Sequence, residues 1–134
     1  MLKRLHIYFK EMYPIIPRFT LALIVFCEIY FIILLNNGIV IGTARVIESF
    51  NEIERLKEGD ILITKFTDTG WTPKFAILSG IVTEYGGILC HAAIVSREYG
   101  IPAIVNCPNA IKKIKDGQKI KIDGSTGNVI IMEE

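Results

Sequence analysis

The pattern of apolar and polar positions changes near residue 38. Before this point lies a basic start and then one apolar run, residues 19–35, which only Glu28 interrupts. After it, short runs of β-branched residues alternate with stretches of helical character. We therefore predict an N-terminal region at residues 1–37 and a folded domain at residues 38–134.

The second region is predicted to contain several strands and three or four short helices. The strands are the runs rich in isoleucine and valine, at residues 39–47, 61–64, 81–83, 103–105, 119–122 and 129–131. The helices are predicted at residues 49–57, 73–78, 91–99 and 109–115. The last two strands are separated by turn residues and should form a hairpin. This alternation indicates a mixed α/β domain of about 95 residues.

Three of these helices have specific end signals. Ser49 and Glu52 have the spacing of a capping box. Thr72 precedes Pro73, which is typical of an N-cap followed by proline in the first turn. Gly100 stands just beyond the helix at 91–99, where a left-handed residue is favoured.

The apolar run at residues 19–35 has three interpretations. Its 17 residues and basic flank are typical of a membrane anchor at the short end of the usual length range. Glu28 would be unfavourable at mid-bilayer, which favours a helix or strand buried against the domain or a partner. The third interpretation is a segment that is not a natural structural part of the protein. No small-residue cleavage site follows the run, which disfavours a removed signal peptide.

Composition narrows the class of function. The chain is 51% hydrophobic and 22% charged with a formal net charge of +1, which is typical of a globular protein and lacks a basic nucleic-acid footprint. The cysteine and histidine positions match neither a disulfide framework nor a zinc site. These residues are Cys27, Cys90, Cys107, His6 and His91. We predict no nucleic-acid partner, no metal site and a reducing compartment.

The candidate chemistry lies between the strand at residues 81–83 and the helix at residues 91–99. Gly86 and Gly87 allow the backbone to turn tightly and to approach a bulky ligand. His91 follows at the helix start, where unpaired amides and the helix dipole favour negative charge. A neutral imidazole is a good nucleophile near pH 7. On this pattern alone, a phosphorylated histidine and a capping or surface histidine both remain open.

Residues 86–105, with the sequence GGILCHAAIVSREYGIPAIV, resemble the active-histidine signature of the PEP-utilising enzymes. This family includes phosphoenolpyruvate synthase, pyruvate phosphate dikinase, the first enzyme of the sugar phosphotransferase system and rifampicin phosphotransferase. Further similarity covers about residues 38–132 and includes residues 59–62, 67–73, 116–118 and 123–127.

The resemblance implies a swivelling β/β/α phosphohistidine domain. His91 would be phosphorylated transiently and would pass the phosphoryl group between a nucleotide site and an acceptor site. Gly86 and Gly87 would form the phosphate loop, and Arg97 would be the supporting arginine that closes the motif. Arg97 lies six positions beyond His91, roughly 600° around a helix, so the two side chains should not share a face.

The resemblance also implies partners. A domain of about 95 residues is too short to hold the family's other sites. An ATP-grasp-like nucleotide-binding domain or subunit and a PEP- or pyruvate-binding domain, or another acceptor domain, would therefore lie elsewhere. Mg²⁺ with ATP or PEP would be bound by those partners, and this domain would bind no cofactor. The implied location is the cytoplasm, with membrane association through residues 19–35 left open.

Two positions depart from the family pattern. Leu89 stands where threonine or serine is usual, so a hydroxyl two residues before the histidine is missing. Thr69 and Gly70 replace a proline that often precedes the tryptophan, here Trp71. The first departure supports an alternative function, a catalytically silent interaction or ligand-binding module of the same fold.

Overall fold

The computed structural model describes residues 38–132. The predictions for residues 1–37, including the apolar run at 19–35, lie outside this range and stay predictions. Between residues 38 and 132, no helix is long and apolar enough to cross a membrane. The described part of the chain has the predicted mixed α/β fold, built on one six-stranded sheet.

All six predicted strands are confirmed. They are β1 (Ile39–Val46), β2 (Ile61–Thr64), β3 (Gly80–Thr83), β4 (Ala103–Ile104), β5 (Lys119–Asp123) and β6 (Asn128–Ile131). Their order across the sheet is β4-β3-β2-β1-β5-β6. Strands β1 to β4 pair in parallel, whereas β5 is antiparallel to both β1 and β6. The sheet thus has a parallel half and an antiparallel half, and the predicted hairpin is β5–β6.

Three α-helices and two 3₁₀ helices connect the strands. The α-helices are α1 (Thr72–Phe75), α2 (His91–Tyr99) and α3 (Ala110–Lys113), and the 3₁₀ helices are Phe50–Arg55 and Thr69–Trp71. The prediction for α2 is confirmed, and Gly100 ends it with a φ of 67° in the left-handed region. Helices α1 and α3 are shorter than predicted, since the chain must turn back into β3 and β5.

The capping box predicted at Ser49 and Glu52 is wrong. Ser49 makes no side-chain cap hydrogen bond, and a 3₁₀ helix ending at Arg55 replaces the predicted α-helix. The Glu52 carboxylate instead pairs with Arg55. Ile53 and Leu56 are both buried, and a 3₁₀ turn places residues three apart on one face. The Glu52 N–H, which a capping box would pair with the Ser49 hydroxyl, instead donates to the Ser49 carbonyl at 3.0 Å, as in a 3₁₀ turn, so no side-chain cap forms.

The parallel half of the sheet is buried on both faces. Residues that pair across the strands, such as Leu62 with Ile81, belong to one apolar cluster, which also includes buried side chains of α1 and α2. Alternate residues, such as Ile63 with Val82, belong to a second cluster with α3. Parallel strands require this double cover. Because β2 and β3 run parallel, the loops that follow them lie at the same edge of the sheet.

Candidate functional site

His91 lies at the start of α2 with its ring between two threonine hydroxyls. The Oγ1 atom of Thr67 is 2.9 Å from His91 Nδ1. The Oγ1 atom of Thr72 is 3.2 Å from His91 Nε2. The ring is half-buried, so it is neither enclosed in the core nor free in solvent. Both imidazole nitrogens therefore have a neutral hydrogen-bonding partner.

The segment before β3 supplies these partners. Thr67 follows β2 and is buried, with 8% of its surface exposed, whereas Thr72 begins α1 and is half-buried. The buried ring of Phe75, at the end of α1, packs near His91 with centroids 5.8 Å apart and an interplanar angle of 88°. One short stretch of chain thus surrounds the imidazole on three sides.

The glycine loop approaches His91 from the end of β3. Gly86 has a φ of 138°, and a Cβ there would lie 2.7 Å from the Sγ atom of Cys90, so only glycine fits without a shift. A Cβ on Gly87 would meet no atom within 4 Å. Packing within the domain therefore explains why residue 86 is glycine but not why residue 87 is.

Backbone hydrogen bonds connect this loop to the segment after β2. The Tyr85 N–H donates to the Lys65 carbonyl at 2.9 Å. The buried Thr83 hydroxyl donates to the Tyr85 carbonyl, also at 2.9 Å. The loop that carries the glycines and the segment that leads to Thr67 are thus held together beside the helix start.

The first turn of α2 provides a favourable place for an anion. Cys90 is the N-cap and makes no side-chain cap hydrogen bond, although its carbonyl accepts from the Ile94 N–H at 3.0 Å. The first amides of a helix have no intrahelical acceptor, and the helix dipole is positive there. A phosphoryl group on His91 would lie next to these donors.

Arg97 lies on a different face of α2 from His91. It is seven positions after Cys90, about two helical turns, so those two side chains share a face. Burial lowers the pKa of the Arg97 guanidinium, and an electrostatic contribution from Cys90 acts in the opposite direction. Arg97 is thus next to Cys90, the residue that packs on Gly86.

Leu89 stands where the family usually has threonine or serine, which is the main departure from the family pattern. Its side chain is 72% exposed.

Sequence reasoning missed Thr67, Thr72 and Phe75 as site residues. Thr72 was expected to cap a helix, but its hydroxyl and that of Thr67 lie against the His91 ring. The one available signal was the similarity to the family over residues 67–73. Among residues 38–132, no group of three or more His, Cys, Asp or Glu side chains is arranged to hold a metal ion.

The stretch that contains these site residues matches a known protein family. The sequence model described as "PEP-utilising enzyme, mobile domain" matches residues 56–127. The chain belongs to this family. The match includes His91, both threonines and the glycine loop.

Individual relatives of this mobile-domain chain are phosphotransferases and synthases. Rifampicin phosphotransferase of Bacillus cereus is 48% identical over 97 residues, which cover 72% of this chain and 11% of the relative. Phosphoenolpyruvate synthase of Escherichia coli is 44% identical over 91 residues, covering 66% of this chain and 12% of that enzyme. The chain therefore spans about a tenth of the length of the curated relatives it matches.

A solved structure agrees with the fold. The solution structure of Enzyme I has a TM-score of 0.53 and 28% sequence identity, covering 61% of this chain and 34% of that protein. This similarity independently supports the mixed α/β fold of the mobile domain.

Proposed function

We propose that this chain is a phosphoryl-carrier domain of a phosphotransferase similar to phosphoenolpyruvate synthase and pyruvate phosphate dikinase. His91 is transiently phosphorylated and passes the group between two sites on partner domains. The observation that carries this proposal is the half-buried imidazole at the start of α2, with a hydroxyl at each nitrogen. Family membership and the names of the relatives support it.

Nε2 is the reacting nitrogen in this proposal. We assign Nδ1–H as the donor to the buried Thr67 hydroxyl, since this tautomer leaves the lone pair on Nε2. The hydroxyl at Nε2 belongs to the more exposed Thr72. It therefore lies on the side from which a donor can approach.

Each transfer exchanges one bond to phosphorus for another. The Nε2 lone pair forms the P–N bond while the P–O bond to the donor breaks, and the departing oxygen keeps the electron pair. In the second transfer an acceptor oxygen forms the new P–O bond and the P–N bond breaks. The Thr72 hydroxyl moves aside and donates to a phosphoryl oxygen, because it occupies the approach to Nε2. Gly86, Gly87 and the first amides of α2 surround the added charge, with Arg97 supporting the loop.

The donor and acceptor sites belong to partners. An ATP-grasp-like nucleotide-binding domain or subunit supplies the phosphoryl group, and a PEP- or pyruvate-binding domain, or another acceptor domain, receives it. Mg²⁺ with ATP or PEP binds to those partners, and a swivelling motion of this domain joins the two sites. Such a carrier works in the cytoplasm, where these donors are found.

Phosphorylation of the full chain by phosphoramidate tests the covalent step without any partner. Mass spectrometry should find one acid-labile phosphate on the wild-type protein and none on His91→Gln. His6→Gln, at the other histidine of the chain, should keep the label. A phosphate retained by His91→Gln would contradict the proposal. Formation of ATP from MgADP by the labelled protein and a nucleotide-binding domain of the family then tests transfer between sites.

A further inference from the structure

We propose that Phe75 is a positioning residue, which fixes the plane of the His91 ring so that Nε2 faces the incoming phosphoryl group. This inference rests on the proposed function and adds to it a residue outside the motif that surrounds the histidine. Phe75 lies sixteen positions before His91 in the sequence.

The contact between the two rings has a specific geometry. Phe75 is 1% exposed, and its centroid is 5.8 Å from that of His91 with the ring planes almost perpendicular, at 88°. This edge arrangement is the one that aromatic quadrupoles favour. Phe75 also packs against Tyr99 at the far end of α2, with centroids 6.2 Å apart. It therefore contacts both ends of the helix that carries the nucleophile.

The threonine hydroxyls alone do not determine the plane of the imidazole. The χ2 torsion of histidine is broad, so moderate ring rotations cost little by themselves. A hydroxyl rotates to follow its partner, so the contacts of Thr67 and Thr72 tolerate such rotations. A core aromatic ring cannot follow in this way, because close packing holds it. Transfer to Nε2 requires a defined approach, which Phe75 provides.

All three ring contacts come from one segment, residues 67–75. Among the described residues, the hydrogen bonds and the aromatic contact of the His91 ring involve no residue of the glycine loop. The plane of the ring is therefore set independently of the loop that would receive the phosphate. A change at Phe75 should alter which nitrogen reacts while the glycine loop stays as it is.

The test measures which nitrogen of His91 accepts a phosphoryl group from phosphoramidate. The P–N bond of the reagent breaks, and ammonia leaves with the proton that it needs. In ³¹P NMR the Nε2 and Nδ1 isomers of phosphohistidine give separate signals. In Phe75→Leu the ratio of the Nε2 to the Nδ1 isomer should fall by roughly 2- to 10-fold, the factor that corresponds to one edge-to-face aromatic pair.

Leu78→Ala is the matched control. Leu78 is buried in the same core cluster as Phe75 but is not a ring or hydrogen-bond partner of His91. It should lower the melting temperature and leave the isomer ratio unchanged. An unchanged ratio in Phe75→Leu, or an equal fall in both variants, overturns the inference. Phe75→Met replaces Phe75→Leu if the leucine variant does not fold.

A second measurement separates this inference from the proposed function. Long-range ¹H–¹⁵N spectra of the unphosphorylated protein report the tautomer of His91 without any phosphoryl transfer. Wild-type protein should show mainly the Nδ1–H form and a nuclear Overhauser contact between the His91 and Phe75 rings. Phe75→Leu should show a mixture of tautomers. If these spectra agree and no phosphate is accepted, the proposed function fails and the positioning role stands. If the wild-type ring contact is missing, the positioning role fails.

Discussion

The polar contacts of the His91 site differ in charge from those of an ion-pair cluster in the same domain. This cluster is formed by Arg45, Arg55, Asp60 and Asp116. In the cluster, Asp116 accepts from Arg55 at 2.8 Å, from Arg45 at 3.3 Å and from the Val46 N–H at 2.8 Å. Arg45 also donates to Asp60 at 3.0 Å. The Asp60 hydrogen bond is the main reason that the pKa of Arg45 is raised. In this cluster, every named charge has an opposite charge beside it.

Among residues 38–132, the hydrogen-bond partners of the His91 ring are the neutral hydroxyls of Thr67 and Thr72. A hydroxyl can donate or accept and can rotate away, so it contacts the imidazole without fixing the direction of the hydrogen bond. A carboxylate at the same place would favour the imidazolium, which has no lone pair for phosphorus. The comparison teaches that charge pairing provides rigidity in one region, whereas the proposed nucleophile in the other has neutral partners that can rotate away.

Gly86→Ala should produce the largest effect and confine it to the His91 site. The new methyl group would overlap the Cys90 sulfur at a φ of 138°, so the loop must shift beside the histidine. We expect phosphorylation of His91 to slow by roughly 100-fold, the usual effect of an approach displaced by about 1 Å. Gly127→Ala, in the β5–β6 turn with a φ of 72° and no atom within 4 Å of an added Cβ, is the control and should stay within about 3-fold of the wild-type rate. Equal rates for the two variants would remove the steric reason for Gly86.

Asp116→Ala should reduce the stability of the domain without changing the phosphorylation of His91. It removes the shared acceptor of Arg45, Arg55 and the Val46 N–H, so we expect a loss of about 1–3 kcal/mol in the free energy of unfolding. Urea denaturation measures this loss. The rate of His91 phosphorylation by phosphoramidate should be unchanged. Glu58→Ala, at an exposed acidic residue, is the control and should change neither the free energy of unfolding nor the rate of His91 phosphorylation. A slower phosphorylation in Asp116→Ala would show that the two regions are coupled.

Thr67→Val should slow phosphorylation of His91 by roughly 10-fold, because the proposed acceptor of the Nδ1–H hydrogen bond is lost. Valine keeps the shape of the buried side chain, so the fold should persist. Thr69→Val, at an exposed threonine of the same segment, should have the wild-type rate. The time course of ³¹P incorporation measures all three proteins. A wild-type rate in Thr67→Val would show that Nδ1 needs no partner.

The smallest effect is expected at the β5–β6 turn, away from both regions. Hydrogen bonds from Thr126 and Ser125 lower the pKa of Asp123 below its ordinary value of 3.8. A lowered folded-state pKa gives stability that is present above pH 3.8 and is lost as the pH falls through the lower value. Asp123→Asn should therefore reduce the melting temperature slightly at pH 6 and less at pH 3. An equal reduction of the melting temperature at both pH values would show that the ionised Asp123 carboxylate is not the source of this stability.

Local sequence patterns predicted the regular elements well. Apolar runs marked every strand, and glycine in a left-handed conformation marked the end of α2, because these signals depend on neighbours in the chain. The capping box at Ser49 failed because the Ser49 carbonyl, in a 3₁₀ turn, accepts the Glu52 N–H that the hydroxyl was expected to bind. Gly86 and His91 could be chosen from the sequence, as both belong to one continuous motif.

By itself, the sequence determined the mixed α/β class, the strand positions, the helix that begins at His91 and the candidate nucleophile. Only the tertiary structure decided what surrounds that nucleophile. Thr67 and Thr72 lie 24 and 19 positions before His91, and they meet its nitrogens because β2 and β3 are parallel neighbours whose ends share one edge of the sheet. The spacing of these residues in the sequence does not predict that they lie together, because their proximity depends on strand order and register.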